Sequence, residues 1–150
     1  MEIERKFKVK AFPDLSSAEK KEISQWYISY SPEKRVRKSN GSYVVTEKSD
    51  GSLVREEKEY PVERSEAERL ISSCGRLPVE KTRYTFTDGK LKAELDIYSG
   101  VLSGLAVCEF EFDSVEEARS APLPEWLGQE LTEDKSFKNA SLSKKINGET

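Results

Sequence analysis

The chain has 150 residues, of which 35% are charged and 35% are apolar, and its formal net charge is -3 at pH 7. This length is typical of one domain with a core of its own, and the acidic balance argues against a general nucleic-acid coat, which is normally basic. No apolar run approaches the ~18 residues of a membrane span, and the first residues lack the apolar segment of a signal peptide. We therefore predict one cytoplasmic domain over residues 1–150, with a frayed tail after about residue 144.

The absence of histidine excludes several classes of site at once. Zinc held by histidine, Ser-His and Cys-His nucleophilic systems and histidine acid–base chemistry all require that side chain. Cys74 and Cys108 have no metal-ligand spacing, and we expect both to be free thiols with structural roles.

Period-two alternation predicts eight strands, and capping and helical signals predict four helical pieces. The turn dipeptides Asn40-Gly41, Asp50-Gly51 and Asp88-Gly89 support hairpins between strands. In chain order we expect a strand at about 1–10, a helix at 16–24 opened by a capping box of Ser16 and Glu19, strands at 25–30, 34–38, 42–48 and 53–60, a helix at 65–74 stopping at Gly75, strands at 81–87, 90–98 and 104–112, a helix from Ser114, and a helical piece at 134–145.

Carboxylates stand two residues apart in several of these strands, as in the pairs Glu2 and Glu4, Glu94 and Asp96, and Glu109 and Glu111. Because successive strand side chains point to opposite faces, each pair lies on one face. The same alternation gathers acids and bases on that face: Glu2, Glu4, Glu57, Glu59, Glu94, Asp96, Glu109 and Glu111, with Lys6, Arg35, Arg37, Lys48, Arg55, Lys81, Arg83 and Lys92. The opposite face is apolar: Ile3, Phe7, Val9, Val36, Val45, Tyr84, Phe86, Leu91, Leu95, Ile97, Phe110 and Phe112.

These patterns predict a fold dominated by β-structure with a few peripheral helices. Closing eight antiparallel strands into a barrel or tunnel would remove exposed strand edges and enclose one face of the sheet. The charged face would line the interior, and the apolar face would pack outward against helices. Such an arrangement excludes a carrier of apolar ligands.

Carboxylates held close together repel one another and persist as ions only with cations between them. Mg²⁺ and Mn²⁺ favour the oxygen ligands that this face offers, whereas arginine and lysine suit phosphate oxygens. A ligand with several phosphate groups would use both sets. The alternative is a solvated sheet whose surface salt bridges contribute little.

The residues also resemble a known family, the triphosphate tunnel metalloenzymes or CYTH superfamily. Glu2-Ile3-Glu4-Arg5-Lys6-Phe7 is similar to the family's ExExK signature, and the likeness extends from residue 1 to about 142. Ser136 stands where a basic residue is common, so Lys135 or Lys138 would substitute, and Ala93 replaces an aromatic residue. The further similar blocks are Arg35–Arg37, Thr46–Lys48, Arg55–Tyr60, Lys81–Tyr84, Glu94–Tyr98, Glu109–Glu111 and Leu131–Asn139.

The resemblance implies specific roles for the charged residues and two divalent ions, Mg²⁺ or Mn²⁺. The leading metal ligands would be Glu2, Glu4, Glu109 and Glu111, with Glu57, Glu59, Glu94 and Asp96 as additional ligands or water-positioning groups. Phosphate groups would be bound by Lys6, Arg35, Arg37, Lys48, Arg55, Lys81, Arg83 and Lys135. The residues most directly involved in catalysis would be Glu4, Lys6, Lys48 and Glu111.

Members of this family cleave inorganic triphosphate, thiamine triphosphate, nucleoside triphosphates or RNA 5′-triphosphate ends, and one branch makes cyclic AMP. The compact chain is most similar to the small bacterial tripolyphosphatases, so we expect hydrolysis of tripolyphosphate to pyrophosphate and phosphate. The alternatives are a nucleoside or thiamine triphosphatase, an adenylate cyclase, and a non-catalytic module that binds polyphosphate or nucleotides. We expect a monomer or a homodimer without a membrane partner.

Overall fold

The computed structural model describes residues 3–49 and 56–149, and within them the chain forms nine strands and three α-helices. The elements, in chain order, are β1 (Ile3–Val9), β2 (Glu19–Tyr30), β3 (Glu33–Ser39), β4 (Ser42–Lys48), β5 (Glu57–Val62), α1 (Arg64–Cys74), β6 (Val79–Asp88), β7 (Leu91–Tyr98), β8 (Ala106–Phe112), α2 (Val115–Ser120), β9 (Leu127–Glu130) and α3 (Asn139–Ile146).

The chain divides into two compact units. The first comprises the described parts of Met1–Lys21 and Lys81–Phe137, and the second those of Glu22–Glu80 and Lys138–Thr150. Hydrogen-bonded strands follow the order β6-β7-β8-β1-β9 in the first unit and β5-β4-β3-β2 in the second. Neighbouring strands within each unit run antiparallel. The prediction of a mostly antiparallel β-fold with a few helices is confirmed, whereas the prediction of a single domain stays a prediction.

The predicted eight-stranded closed barrel needs correction, because the described residues form nine strands whose hydrogen-bonded order does not close. In the part of the chain that the structure describes, β5 and β9 stand at the two ends of the hydrogen-bonded order. The additional strand, β9, has four residues and pairs with β1. A segment this short shows too little alternation to be recognised from sequence.

The helix predicted at 16–24 is wrong, because β2 begins at Glu19 and continues to Tyr30. Ser16 does not cap a helix; its N–H donates to the Asp14 Oδ1 atom at 3.0 Å in a turn. From Ile23 to Tyr30, residues of β2 lie opposite residues of β3, with a register shift between Tyr27 and Ser29. Pairing with a neighbouring strand therefore outweighs a local capping signal, as tertiary context often does.

The helix ends follow the predicted capping signals closely. Helix α1 stops at Gly75, whose φ of 64° is the left-handed conformation that glycine adopts without a Cβ clash. Helix α2 begins after Ser114, whose side chain accepts a hydrogen bond from the Glu117 N–H at 3.0 Å. The Asn40-Gly41 turn has positive φ angles at both residues, as a tight hairpin requires.

The C-terminal segment contains a short 3-10 turn at Lys135–Phe137 and then α3, where the sequence predicts one helical piece. The tail predicted to fray after about residue 144 makes contacts within the second unit. The Glu149 carboxylate accepts hydrogen bonds from Arg76 and from the Tyr30 hydroxyl, each at 3.0 Å. No helix in the described ranges is long and apolar enough to cross a membrane.

Each unit packs its own apolar core under a helix. In the first unit, residues of β1, β7 and β8 form a core with α2, and in the second, residues of β3 and β4 pack against α1. Every residue of the predicted apolar face belongs to or packs against one of these cores. The predicted segregation of apolar and charged faces is therefore confirmed, and it leaves the other face of each unit free for charged side chains.

Phe110 is the central side chain of the first core. It is 0% exposed, its ring centroid lies 6.2 Å from that of Phe7 and 6.0 Å from that of Trp126, and it stands between Glu109 and Glu111 in β8. We expect Phe110→Ala to lower the free energy of unfolding by about 3–5 kcal/mol, because it leaves a cavity in a close-packed interior. Urea denaturation would measure the loss, and a change below about 1 kcal/mol would contradict this account of the core.

Candidate active site

Four carboxylates from three adjacent strands line one small recess in the first unit. Glu4 of β1 lies directly opposite Glu111 of β8, and Glu109 of β8 lies directly opposite Glu94 of β7. With Phe110 these residues border a cavity of about 80 Å³, which we call the carboxylate recess. Like charges directly opposite on one sheet face are destabilising, so this arrangement requires nearby cations.

Two basic side chains neutralise part of the carboxylate recess. The Lys6 Nζ atom lies 3.3 Å from the Glu109 Oε1 atom and donates a hydrogen bond of 3.4 Å to the Phe137 carbonyl. The Arg83 Nη1 atom lies 2.8 Å from the Glu94 Oε2 atom. The sequence prediction that these acids and bases share one face is borne out for the first unit.

Arg83 and Lys81 both bind Asp96, which is largely buried. The Arg83 Nε and Nη2 atoms donate to the two carboxylate oxygens at 2.8 and 3.0 Å, and the Lys81 Nζ atom lies 2.8 Å from Oδ2. Burial alone would raise the pKa of Asp96, but the Arg83 hydrogen bonds and the charges of Lys81 and Arg83 lower the pKa below its usual value. Both oxygens of Asp96 are thus engaged in holding the two cations.

The donor set of the carboxylate recess fits a hard divalent cation, because every candidate ligand is a carboxylate oxygen. Among the residues that the structure describes, no three acidic or cysteine side chains are already gathered closely enough to share a metal ion. Strand register nevertheless places these four carboxylates as two opposed pairs. Glu109 forms an ion pair with Lys6, and Glu94 forms one with Arg83. A divalent cation would offset the remaining repulsion.

The second unit carries a separate group of charges on β3 and β4, and we call Glu33, Arg35 and Lys48 the β3–β4 cluster. The Glu33 Oε2 atom lies 3.6 Å from the Arg35 Nη1 atom and 3.6 Å from the Lys48 Nζ atom. Arg37 occupies the same face of β3, two residues beyond Arg35. The sequence analysis predicted the three basic residues on one face but missed Glu33, although Glu33 shares the two-residue spacing.

Two residues of β2 on this face were also missed. Tyr27 lies opposite Arg35 and Gln25 lies opposite Arg37, so register places them on the charged face. Gln25 is 0% exposed, and neither its amide nitrogen nor its amide oxygen has a hydrogen-bond partner among the described residues. Burial raises the pKa of Tyr27 above its usual value, against the opposing effect of Arg35. The sequence predicts a strand at 25–30, but the place of these two residues on the charged face follows only from the pairing of β2 with β3.

The remaining predicted site residues occupy less enclosed positions. Glu57 and Glu59 are exposed on β5, opposite Lys48 and Thr46 respectively, and Lys135 is exposed in the 3-10 turn. Glu2 and Arg55 lie outside the described residues. Metal binding and phosphate binding by all of these side chains stay predictions.

Two aromatic rings on the charged faces, Tyr27 and Tyr98, are buried rather than open to a ligand. Tyr98 is 5% exposed, with the Lys81 Nζ atom 5.5 Å from its ring centroid. Tyr27 is 1% exposed and stacks on Tyr30 with ring centroids 5.4 Å apart. Neither ring presents an open platform for an organic group.

The sequence was compared with known families and characterised proteins. The CYTH domain matches residues 1–146. The chain is 40% identical over 150 residues to an inorganic triphosphatase of Nitrosomonas europaea, covering 97% of this chain and 98% of that protein. It is also 30% identical over 147 residues to an inorganic triphosphatase of Acetivibrio thermocellus, covering 95% of this chain and 93% of that protein.

The fold was compared with solved structures. The crystal structure of the inorganic triphosphatase NE1496 superposes with a TM-score of 0.82 at 35% identity, covering 95% of this chain and 94% of that chain. The PH1819 protein of Pyrococcus horikoshii, at 20% identity and a TM-score of 0.54, shares the fold alone. The architecture described above is therefore the CYTH fold.

The Asp96 ion pairs give a prediction about stability and pH. At pH 7 we expect Asp96→Asn to lower the free energy of unfolding by about 3 kcal/mol or more, because two largely buried cations lose their partner. The folded-state pKa of Asp96 lies below its usual value. The contribution of Asp96 to the free energy of unfolding is therefore complete above about pH 4 and is lost as the pH falls through the folded-state pKa. Urea denaturation at several pH values should show the difference between wild type and variant shrinking below pH 4. A difference that stayed constant down to pH 2 would contradict the assignment.

Proposed function

The chain belongs to the CYTH family, and we propose that it hydrolyses inorganic tripolyphosphate to pyrophosphate and phosphate with a divalent metal ion. Its curated relatives at 40% and 30% identity are inorganic triphosphatases, and both alignments span nearly the whole chain. The observation in the structure that carries the proposal is the carboxylate recess, with its two directly opposed pairs of like charge.

The metal would be held by Glu4, Glu94, Glu109 and Glu111. Glu2, which belongs to the same predicted strand as Glu4, would be a further ligand. A divalent ion bound there supplies Lewis acidity that polarises a phosphoryl oxygen and lowers the pKa of water. The chain has no histidine, so the nearby groups that can accept or direct a proton are carboxylates. We assign that role to the recess glutamates, with Glu4 and Glu111 as the leading candidates.

Within each unit taken by itself, several basic side chains are candidates for binding and orienting phosphate groups. In the first unit, Lys6 and Arg83 contact the recess glutamates directly, so they can stabilise negative charge beside the metal-binding carboxylates. Asp96 fixes the guanidinium plane of Arg83 through two hydrogen bonds, which makes it a positioning residue. In the second unit, Arg35, Arg37 and Lys48 are the candidates for phosphate binding.

The buried aromatic rings favour an inorganic substrate over an organic one. A nucleoside or thiamine group would be expected to stack on an accessible ring, and Tyr27 and Tyr98 are both covered. Removing the organic group from a triphosphate therefore loses few contacts, while the phosphate groups keep theirs. We also propose that the protein uses two divalent ions, either Mg²⁺ or Mn²⁺. We propose further that it is a monomer or a homodimer and that it is cytoplasmic.

Phosphate release from a panel of substrates tests the proposal. Tripolyphosphate, ATP, thiamine triphosphate and pyrophosphate would each be assayed with Mg²⁺, with Mn²⁺ and with a chelator. We expect the highest kcat/KM for tripolyphosphate, pyrophosphate as a product, and no turnover with chelator. A preference for ATP, formation of cyclic AMP, or equal activity with chelator would contradict the proposed reaction.

The matched variants for this assay are Glu111→Gln in the carboxylate recess and Glu116→Gln, which changes an exposed carboxylate of α2. Glu111→Gln removes the charge of a metal ligand at nearly constant side-chain size. Loss of a residue that only supports a metal ligand lowers activity by about 10–100-fold, so we expect a larger fall in kcat for Glu111→Gln. Glu116→Gln should retain wild-type kcat. Equal rates for both variants at saturating metal would remove Glu111 from the metal site.

A further inference from the structure

We propose that Glu33 is a built-in counter-ion that occupies a phosphate position of the β3–β4 cluster and is displaced when a phosphate group binds. Its charge would weaken the hold of Arg35 and Lys48 on the pyrophosphate product and so speed product release. The inference rests on the proposed function, because it takes these two cations as ligands of substrate phosphate.

The geometry of the Glu33 carboxylate differs from that of an ordinary structural ion pair. Its Oε2 atom stands 3.6 Å from both the Arg35 Nη1 atom and the Lys48 Nζ atom, beyond hydrogen-bond distance. That oxygen is buried, yet it has no hydrogen-bond partner within residues 3–49 and 56–149. The Glu33 side chain is 16% exposed, so the negative charge lies in a poorly solvated place.

Asp96 in the first unit provides the contrast. Both of its oxygens accept hydrogen bonds from Arg83 at 2.8 and 3.0 Å, and Lys81 adds a contact of 2.8 Å. Charge-assisted hydrogen bonds of that length fix the groups that they join. The longer contacts of Glu33 provide attraction without directional bonds, so another anion can replace this carboxylate at lower cost.

Phosphate oxygens present the same kind of acceptor as a carboxylate oxygen, but they carry more charge and can meet the guanidinium fork bidentately. A phosphate group could therefore take the place of the Glu33 oxygen between Arg35 and Lys48. After hydrolysis, the Glu33 carboxylate would compete with pyrophosphate for the same two cations. Affinity for the product is thereby lowered, and turnover gains from faster release.

The test compares Glu33→Gln with Glu47→Gln. Glu47 is a suitable control because it also lies 3.6 Å from a lysine, Lys34, and it alternates with Lys48 along β4, so it points to the other face of the sheet. For Glu33→Gln we expect the inhibition constant of pyrophosphate to fall about tenfold, equivalent to about 1.4 kcal/mol, since one opposing charge is removed near two cations. We also expect kcat to fall more than kcat/KM for tripolyphosphate. Glu47→Gln should leave both quantities near wild-type values.

Glu33→Asp completes the series, because it keeps the charge but withdraws it by one methylene. Its inhibition constant for pyrophosphate should be intermediate between those of wild type and Glu33→Gln. If the glutamine variant does not fold, Glu33→Asp is compared with wild type in its place. Unchanged or weaker pyrophosphate binding in both Glu33 variants would overturn the inference. If wild type itself does not hydrolyse tripolyphosphate, the proposed function fails first, and an active wild type with unaffected Glu33 variants would refute the counter-ion role alone.

Discussion

Strand pairing places carboxylates of the candidate site directly opposite one another, and their mutual repulsion determines which cations the site needs. Backbone register sets Glu4 against Glu111 and Glu94 against Glu109, and it cannot shift by one residue without moving Phe110 out of the core. Stability from the apolar face therefore maintains an unfavourable arrangement on the charged face. Lys6 and Arg83 offset part of the repulsion, and the rest is what a divalent cation would relieve.

Carboxylates on the two charged faces have different physical roles. Asp96 accepts short hydrogen bonds and holds the Arg83 guanidinium in one orientation. Glu33 attracts its two cations over longer distances, through a buried oxygen that has no hydrogen-bond partner among the described residues. Short directional bonds suit the orientation of a bound group, whereas longer contacts without hydrogen bonds suit its exchange.

Much of the fold and part of the site could be predicted from alternation alone. Strands such as β1, β7 and β8 carry charge on one face and apolar residues on the other, so their pattern identifies both the core and the acidic pairs. The N-terminal half of β2 is nearly all polar at Glu19–Glu22, and there a capping motif suggested a helix. Gln25 and Tyr27 fall in the strand predicted at 25–30, but their place on the charged face follows only from register with β3. The loose contacts of Glu33 depend on atomic distances, which no sequence pattern carries.

Direct measurement of metal binding tests most sharply whether the opposed carboxylates form a metal site. Mn²⁺ would be titrated by calorimetry and by electron paramagnetic resonance into wild type, Glu4→Gln, Glu111→Gln and the exposed control Glu116→Gln, without substrate. We expect wild type and Glu116→Gln to bind Mn²⁺ with equal affinity and each recess variant to bind it at least about tenfold more weakly, because each loses one ligand charge. Equal Mn²⁺ affinity in all four proteins would contradict the account.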